Sequence, residues 1–234
     1  MSLRRINISI IVPVYKESKI INAELRSLKV HDAEHLKEVI VVDCLGDTIS
    51  AVEHDLITWD KLKLVKSEVK GRAMQMNLGA SKATGDILLF LHADTELPRN
   101  GLFSVIDLMR NQKISAGAFD LSFDIDSLLY RITAFNSSMR IRLLHSPYGD
   151  QAIFVRRLIF EEILGFHNMP LFEDVDLCRR LKNNGFKIGF TGTAIVTSSR
   201  RYQKSYTMAI LRNWWITVLY YFGIDVEKLA KLYN

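Results

Sequence analysis

Four short runs dominated by β-branched residues and leucine, "NISIIVPV", "EVIVVD", "KLKLVKS" and "DILLFLH", follow one another up to His92, with enough chain between them for helices. A strand with one wet face alternates polar and apolar residues. These runs are almost continuously apolar, so both faces need cover, which is the condition of a parallel sheet flanked by helices. The intervening stretches read as helices from Ser18 to Val30, Thr48 to Thr58 and Gly71 to Thr84, which makes three β-α units. The expected fold is α/β: a Rossmann-like, doubly wound, mostly parallel sheet with helices on both faces.

After "LHADTELP" the rhythm changes. Pro98 is placed as a first-turn residue of a helix through Asn111, and "SAGAFDLSFD" alternates as a half-buried strand does. A helix from Ser127 to Leu144, the loop "HSPYGD", the strand "QAIFVRR" and the helix "LFEDVDLCRRLKNNG" follow, the last closed by Asn183, Asn184 and Gly185 before another strand. No linker or repeat divides the chain, so 1–234 reads as one domain with halves 1–97 and 98–204 and a tail, 205–234, expected to be an amphipathic helix. The apolar stretch "YTMAILRNWWITVLYYFG" is interrupted by Arg212 and Asn213 and is too short on apolar residues to span a bilayer. A core or dimer-packing helix is one reading of it. An interfacial helix, with Trp214, Trp215, Tyr220 and Tyr221 at headgroup level, is the other.

The 234 residues are 48% hydrophobic and 24% charged, with a formal charge of +5, enough for a sizeable core. The basic residues are scattered, so phosphate-bearing small ligands are favoured as acidic partners and nucleic acid is not expected. Cys44 and Cys178 form no Cys-x-x-Cys unit, and the opening run is too short for a secretion signal; a cytoplasmic protein is expected, with peripheral contact to the inner face of a membrane as the variant.

In an open parallel sheet, ligands bind beyond the carboxyl ends of the strands. "PVYKES" follows the first strand there, Asp43 ends the second, and His92 and Asp94 follow the fourth. Asp43 suits hydrogen bonds from a base or ribose, and Asp94 offers a hard oxygen to magnesium or manganese. His92 and Asp94 would share a side if the strand geometry persists; packing or a hydrogen bond suits His92 better than ligation. Arg72 opens a helix, where its charge opposes the dipole, and is better understood with an anion beside it; Gln75 lies one turn on, while Met76, Ala80 and Ala83 pack on the sheet. Glu173, Asp174 and Asp176 crowd another helix entry. Any one of them is ordinary there, but a carboxylate facing the same pocket also suits a general base. "TSSRRYQKSY" brings Arg200, Arg201 and Tyr202 to a loop able to close over a diphosphate.

Taken in order, "SIIVPVYKES", "VIVVD", "GRAMQMNLGA", "LLFLHADTELP", "YGDQAIFVRR", "LFEDVDLCRRL" and "SSRRYQK" resemble the family-two glycosyltransferases of GT-A fold, most of all the small bacterial subgroup with an "LHADT" signature. The resemblance covers nearly the whole chain. It implies inverting transfer of a sugar from a nucleotide-diphosphate sugar, a UDP-sugar by preference, to an acceptor hydroxyl, with manganese or magnesium as cofactor. The acceptor is an unknown saccharide, lipid or small molecule. In these terms 1–97 is the nucleotide-sugar-binding half and 98–204 the acceptor and catalytic half. Pro13, Tyr15 and Glu17 would form the donor-binding first loop, Asp43 would take the base and Asp94 the metal. Glu173 and Asp174 would hold the catalytic base, Asp174 first and Glu173 as the alternative. Asp150 and Gln151 fall in the loop expected to build the acceptor pocket. The family's Asp-x-Asp reads His92-Ala93-Asp94 here, and Cys44 stands where many relatives carry a second aspartate.

Three rival readings remain. A nucleotidyltransferase needs a glycine-rich loop after the first strand, and "PVYKES" has no glycine. An aspartyl phosphatase needs carboxylates two apart, and "VVDCLGDT" separates Asp43 from Asp47. A non-catalytic nucleotide-sugar-binding protein is distinguished only by turnover.

Overall fold

The four apolar runs are strands β1 (Ile8–Val14), β2 (Leu36–Asp43), β3 (Leu62–Lys66) and β4 (Ile87–Phe90) of an eight-stranded sheet in the computed structural model, which describes residues 6–31, 35–202 and 206–233. β1 lies between β2 and β4 with β3 beyond β2, all parallel. The second half adds β5 (Thr95–Glu96), β6 (Ile114–Phe123), β7 (Phe154–Arg156) and β8 (Lys187–Thr197). β7 runs antiparallel between β4 and β6, β8 is parallel to β6, and β5 closes the order β3-β2-β1-β4-β7-β6-β8-β5 against β8. The sheet is thus mostly parallel, with the antiparallel strand β7 joining its halves.

The helices are α1 (Ile21–Val30), α2 (Asp47–Ser50), α3 (His54–Ile57), α4 (Arg72–Lys82), α5 (Gly101–Arg110), α6 (Leu128–Leu144), α7 (Arg157–Glu162), α8 (Glu173–Asn183), α9 (Tyr206–Tyr221) and α10 (Val226–Tyr233). They explain why the strands read as continuous. Ile8, Ile10 and Val12 of β1 join one core with Leu25 and Leu28 of α1 and Val105 and Met109 of α5. Ile11, one step out of phase, joins the opposite core with Met76 and Ala80 of α4 and Leu177 and Leu181 of α8. Each such aliphatic side chain contributes about 2 kcal/mol on burial. At Gly79 the α4 backbone lies so close to β1 that a β-carbon would stand 2.5 Å from Ile11 Cγ2.

Three expectations change. The helix read from Thr48 to Thr58 is two single turns, because Asn22 of α1 donates to the Ala51 carbonyl and accepts the Glu53 N–H, replacing the helical bonds between them. β4 ends at Phe90, and a turn in which the Thr95 N–H donates to the His92 carbonyl (3.1 Å) follows, so the strand alternation does not reach His92 and Asp94. The tail is two helices: Gly223, at φ +80°, ends α9. The amphipathic member is α10, with Leu229 buried and Lys228 and Lys231 exposed, whereas α9 buries Ile216 and exposes Leu211, Trp214 and Trp215. No helix among the described residues is long and apolar enough to cross a membrane.

Candidate active site

A cavity of about 300 Å³ opens at the carboxyl ends of β1 and β4, lined by Pro13, Tyr15 and Glu17 on one side, Lys70, Gly71, Arg72 and Gln75 on another, and His92 and Asp94 between them. Its cationic wall follows from local sequence. Gly71 caps α4 at φ +145°, a conformation closed to other residues, and turns the helix entry toward the cavity. The first amides of α4, with Lys70 and Arg72 beside them, therefore meet whatever occupies the space, and that combination favours an anion. Tyr15 is flanked by cations, with Lys70 Nζ 4.4 Å from its ring centre.

Asp94 faces the same space. Its backbone carbonyl accepts the Ser198 N–H at 2.9 Å, and the next residue pairs with β8, so the strand leading to the Ser199–Tyr202 turn is tied to Asp94. Arg200 on that turn lies 3.9 Å from Asp94 Oδ2 and 3.8 Å from Glu17 Oε2. The side chains of Arg201 and Tyr202 lie outside the described part of the structure. Behind Asp94 is Glu24 of α1, a buried carboxyl whose Oε1 has no hydrogen-bond partner; burial, then the charges of Glu96 and Asp94, hold it well above the usual carboxylate range. An acidic residue in a first helical turn carries no signal of such a place.

Asp43 and Gln75 also serve the backbone. Asp43 is fully buried and outside the cavity lining; its carboxylate accepts the N–H groups of Leu45, Thr48 and Ile49 and caps α2 from a distance. Gln75 reaches the cavity wall, but its amide donates to both the Val14 and Val42 carbonyls at 2.7 Å, stitching the ends of β1 and β2. Both carboxylate oxygens of Asp43 and the amide nitrogen of Gln75 are thus engaged by backbone.

Glu173 and Asp174 open α8 beside the cavity. Arg72 Nη1 lies 3.4 Å from Glu173 Oε1, joining the acidic pair to the cationic wall. Asp174 accepts the N–H groups of Val175 and, from the loop, Gly149. Burial raises the affinity of both carboxyls for protons; Arg72 opposes it at Glu173, and the Gly149 and Val175 amides, Arg72 and Arg140 oppose it at Asp174. His92 packs against the same loop: a β-carbon on Gly149 would lie 2.8 Å from His92 Nε2. Asp176 points elsewhere, into a cluster with Arg179, Arg180 and His167. Gln151, expected at the acceptor, is sealed in the interior instead, where its Oε1 accepts the Tyr148 N–H and Arg140 Nη2 and so braces the loop. Asp150 stands beside it in the same turn, Gly149–Gln151. Lys70, Gly149 and Arg140 were not singled out from the sequence; the glycine in "YGDQ" was the available signal.

The arrangement can hold an anion next to a carboxylate suited to a hard cation, and present two buried carboxyls to a group bound alongside. Residues 9–166 match the model of glycosyl transferase family 2. The chain is 24% identical over 212 residues to a probable glycosyltransferase, YdaM, of Bacillus subtilis, covering 80% of this chain and 49% of that protein. It is 25% identical over 210 residues to a probable glycosyltransferase of Sulfolobus acidocaldarius, covering 80% and 45%. The chain thus spans about half the length of these curated relatives. Its fold resembles crystal structures of S. aureus TarS 1–349, alone (TM-score 0.65, 20% identity, 88% of this chain and 65% of that one) and in complex with UDP-GlcNAc (TM-score 0.65, 20% identity, 82% and 58%). With the family model matched across more than half of its residues, the chain belongs to glycosyl transferase family 2.

Proposed function

We propose that the protein is an inverting glycosyltransferase that moves a sugar from a nucleotide-diphosphate sugar, a UDP-sugar in first place, to an acceptor hydroxyl. The carrying observation is the single cavity in which the α4 entry, Lys70 and Arg72 face Asp94, with Glu173 reached through Arg72. UDP is supported by the TarS structure in complex with UDP-GlcNAc. Residues 1–97 would bind the donor and 98–204 the acceptor.

A divalent metal fits the donor set. Asp94 supplies one hard oxygen on the cavity wall, and magnesium or manganese is commonly held by one or two carboxylates with the remaining positions on phosphates and water. No group of three His, Cys, Asp or Glu among the described residues is arranged to hold a metal by itself, so phosphates and water would have to supply the remaining positions. When bound, the metal would neutralise charge developing on the departing nucleoside diphosphate. Arg72, Lys70 and the α4 amides orient the diphosphate, and Arg200, released from Glu17 and Asp94, closes on it. Asp174 takes the proton of the acceptor hydroxyl as that oxygen attacks the anomeric carbon from the face opposite the leaving group; Glu173 is the alternative base.

Thermal-shift measurement with UDP, GDP, dTDP and their sugars, with and without manganese, tests this reading, because a ligand of the folded state raises its stability. A UDP shift enlarged by manganese is expected, and none with any nucleotide overturns the reading. Tight donor binding without turnover would instead favour a non-catalytic nucleotide-sugar-binding protein.

The tail supports a peripheral contact. Met208, Leu211 and Trp215 of α9 and Phe222 beyond it recur on one exposed face, and Leu128, Ile132 and Phe135 do so on α6. Neither helix contains Asp or Glu, and the exposed Trp215 on the apolar face of α9 suits a bilayer interface over a second copy of the chain. Co-sedimentation with phosphatidylglycerol vesicles is expected; a homodimer in solution with no vesicle binding would overturn this assignment.

A further inference from the structure

Arg140 differs from its neighbours on α6. Arg131 and Arg142 each grip a carboxylate with two N–H groups, those of Asp126 and Asp120. Arg140 turns inward. Its guanidinium lies over the Tyr148 ring, 3.3 Å from the centroid, its Nη2 donates to Gln151 Oε1 at 3.2 Å, and its Nη1 is sealed from solvent without a hydrogen-bond partner. No carboxylate among the described residues is paired with it. A half-buried cation with one nitrogen sealed in this way is costly unless a negative charge faces it at longer range.

The turn it touches leads to that charge. Gln151 Oε1 accepts both Arg140 Nη2 and the Tyr148 N–H, and the Gln151 N–H returns to the Tyr148 carbonyl at 3.0 Å. Arg140 therefore holds both ends of a four-residue turn, and between them the Gly149 N–H donates to Asp174 Oδ2. We propose that Arg140 is a positioning residue for Asp174: from α6 it braces the turn whose Gly149 amide holds the carboxylate, and it brings a positive charge to that side of the acid. The proposal rests on Asp174 as the base of the transfer.

The groups facing Asp174 come from every element around it. Glu173 and Cys178 lie on its own helix, Arg72 on α4, Arg140 on α6, Tyr148 in the turn, Tyr220 on α9, and His92 across Gly149. Burial favours the protonated acid; the two amides and the two arginines favour the carboxylate. Removing the Arg140 charge takes away a downward push, so Asp174 should hold its proton to higher pH, and a protonated base cannot accept one.

The test is a carbon-13 titration of the full chain labelled at aspartate carboxyls, with the Asp174 signal assigned by its loss in Asp174→Asn. Arg140→Gln should raise the midpoint of that signal, by up to about one pH unit, the lower end of what an adjacent opposite charge does; Arg140→Lys should leave it near the wild-type value. An unchanged midpoint in folded Arg140→Gln overturns the proposal. If the Gln variant does not fold, the Lys variant decides: a retained midpoint supports the charge effect, and a raised one overturns it. Transfer by Asp174→Asn tests the base separately. Full transfer there with a raised midpoint in Arg140→Gln would leave Arg140 acting on Asp174 but remove Asp174 as the base.

Discussion

Gly149 donates its backbone N–H to the carboxylate of Asp174 while its α-carbon lies against His92, so residues from 1–97 and 98–204 meet across a residue with no side chain. A β-carbon there would come within 2.8 Å of His92 Nε2 and 3.4 Å of Asp174 Oδ2. Gly149→Ala should push the two side chains apart by a fraction of an ångström to an ångström. Displacement on that scale costs transfer about 10²-fold, with little loss of melting temperature because the turn is still braced by Gln151. Steady-state kinetics beside calorimetry checks this, and normal turnover in the Ala variant would show that the close approach has no bearing on catalysis.

Asp94 lies 3.9 Å from Arg200, and the two should make separable contributions to donor binding. Asp94→Asn removes the hard oxygen and should abolish the extra stabilisation that manganese gives to bound UDP. Arg200→Ala should weaken UDP binding while leaving its manganese dependence in place. Thermal shifts with UDP, with and without EDTA, separate the two; a full manganese effect in Asp94→Asn would remove Asp94 from the metal site.

Asp174→Asn should retain UDP binding and lose transfer by about 10²-fold or more, the scale of a missing general base. Glu173→Gln, which loosens the contact with Arg72, should weaken donor binding more than it slows the chemical step. Near-normal transfer by Asp174→Asn together with loss in Glu173→Gln would exchange the two roles.

The parallel core was legible because period and composition determine it: strands covered on both faces must be apolar over their centres, as residues 10–12 of β1, residues 39–42 of β2 and Ile87–Phe90 of β4 are. The convergence of Pro13, Tyr15, Glu17, Arg72, His92 and Asp94 on one cavity followed from the rule that loops at the carboxyl edge share a site. What sequence could not convey was which polar residues serve the backbone. Asp43 and Gln75 have the chemistry of ligand contacts, and in the fold Asp43 also accepts three amides while the Gln75 amide nitrogen donates to two carbonyls, on loops and strand ends that only the fold brings near. Gln151 likewise serves the backbone, accepting the Tyr148 N–H from the interior. Arg140 was illegible because its importance comes from a turn eleven residues away and a helix beyond it.

Asp176 illustrates the opposite case, an acidic residue at a helix entry whose role is structural. It accepts Arg179 Nη2 at 2.9 Å and Arg180 Nε at 2.8 Å, with His167 Nδ1 at 2.9 Å, and Arg180 goes on to donate to the Ile163 and Gly165 carbonyls. Burial alone would raise its pKa, but the hydrogen bonds and charges of Arg180 and Arg179 outweigh it and the carboxyl is held below its ordinary value. A carboxyl depressed in the folded state stabilises fully above its unfolded pKa, near 4, and loses that contribution as pH falls through the folded value. Asp176→Asn should therefore cost about 3 kcal/mol at neutral pH, where it leaves Arg180 half-paired in the interior. The gap in melting temperature between wild type and variant should narrow as pH drops from about 7 to below about 4. Calorimetry across that range checks the sign: a gap that stays constant or widens in acid would mean that the Asp176 charge is not what ties α8 to the segment after α7.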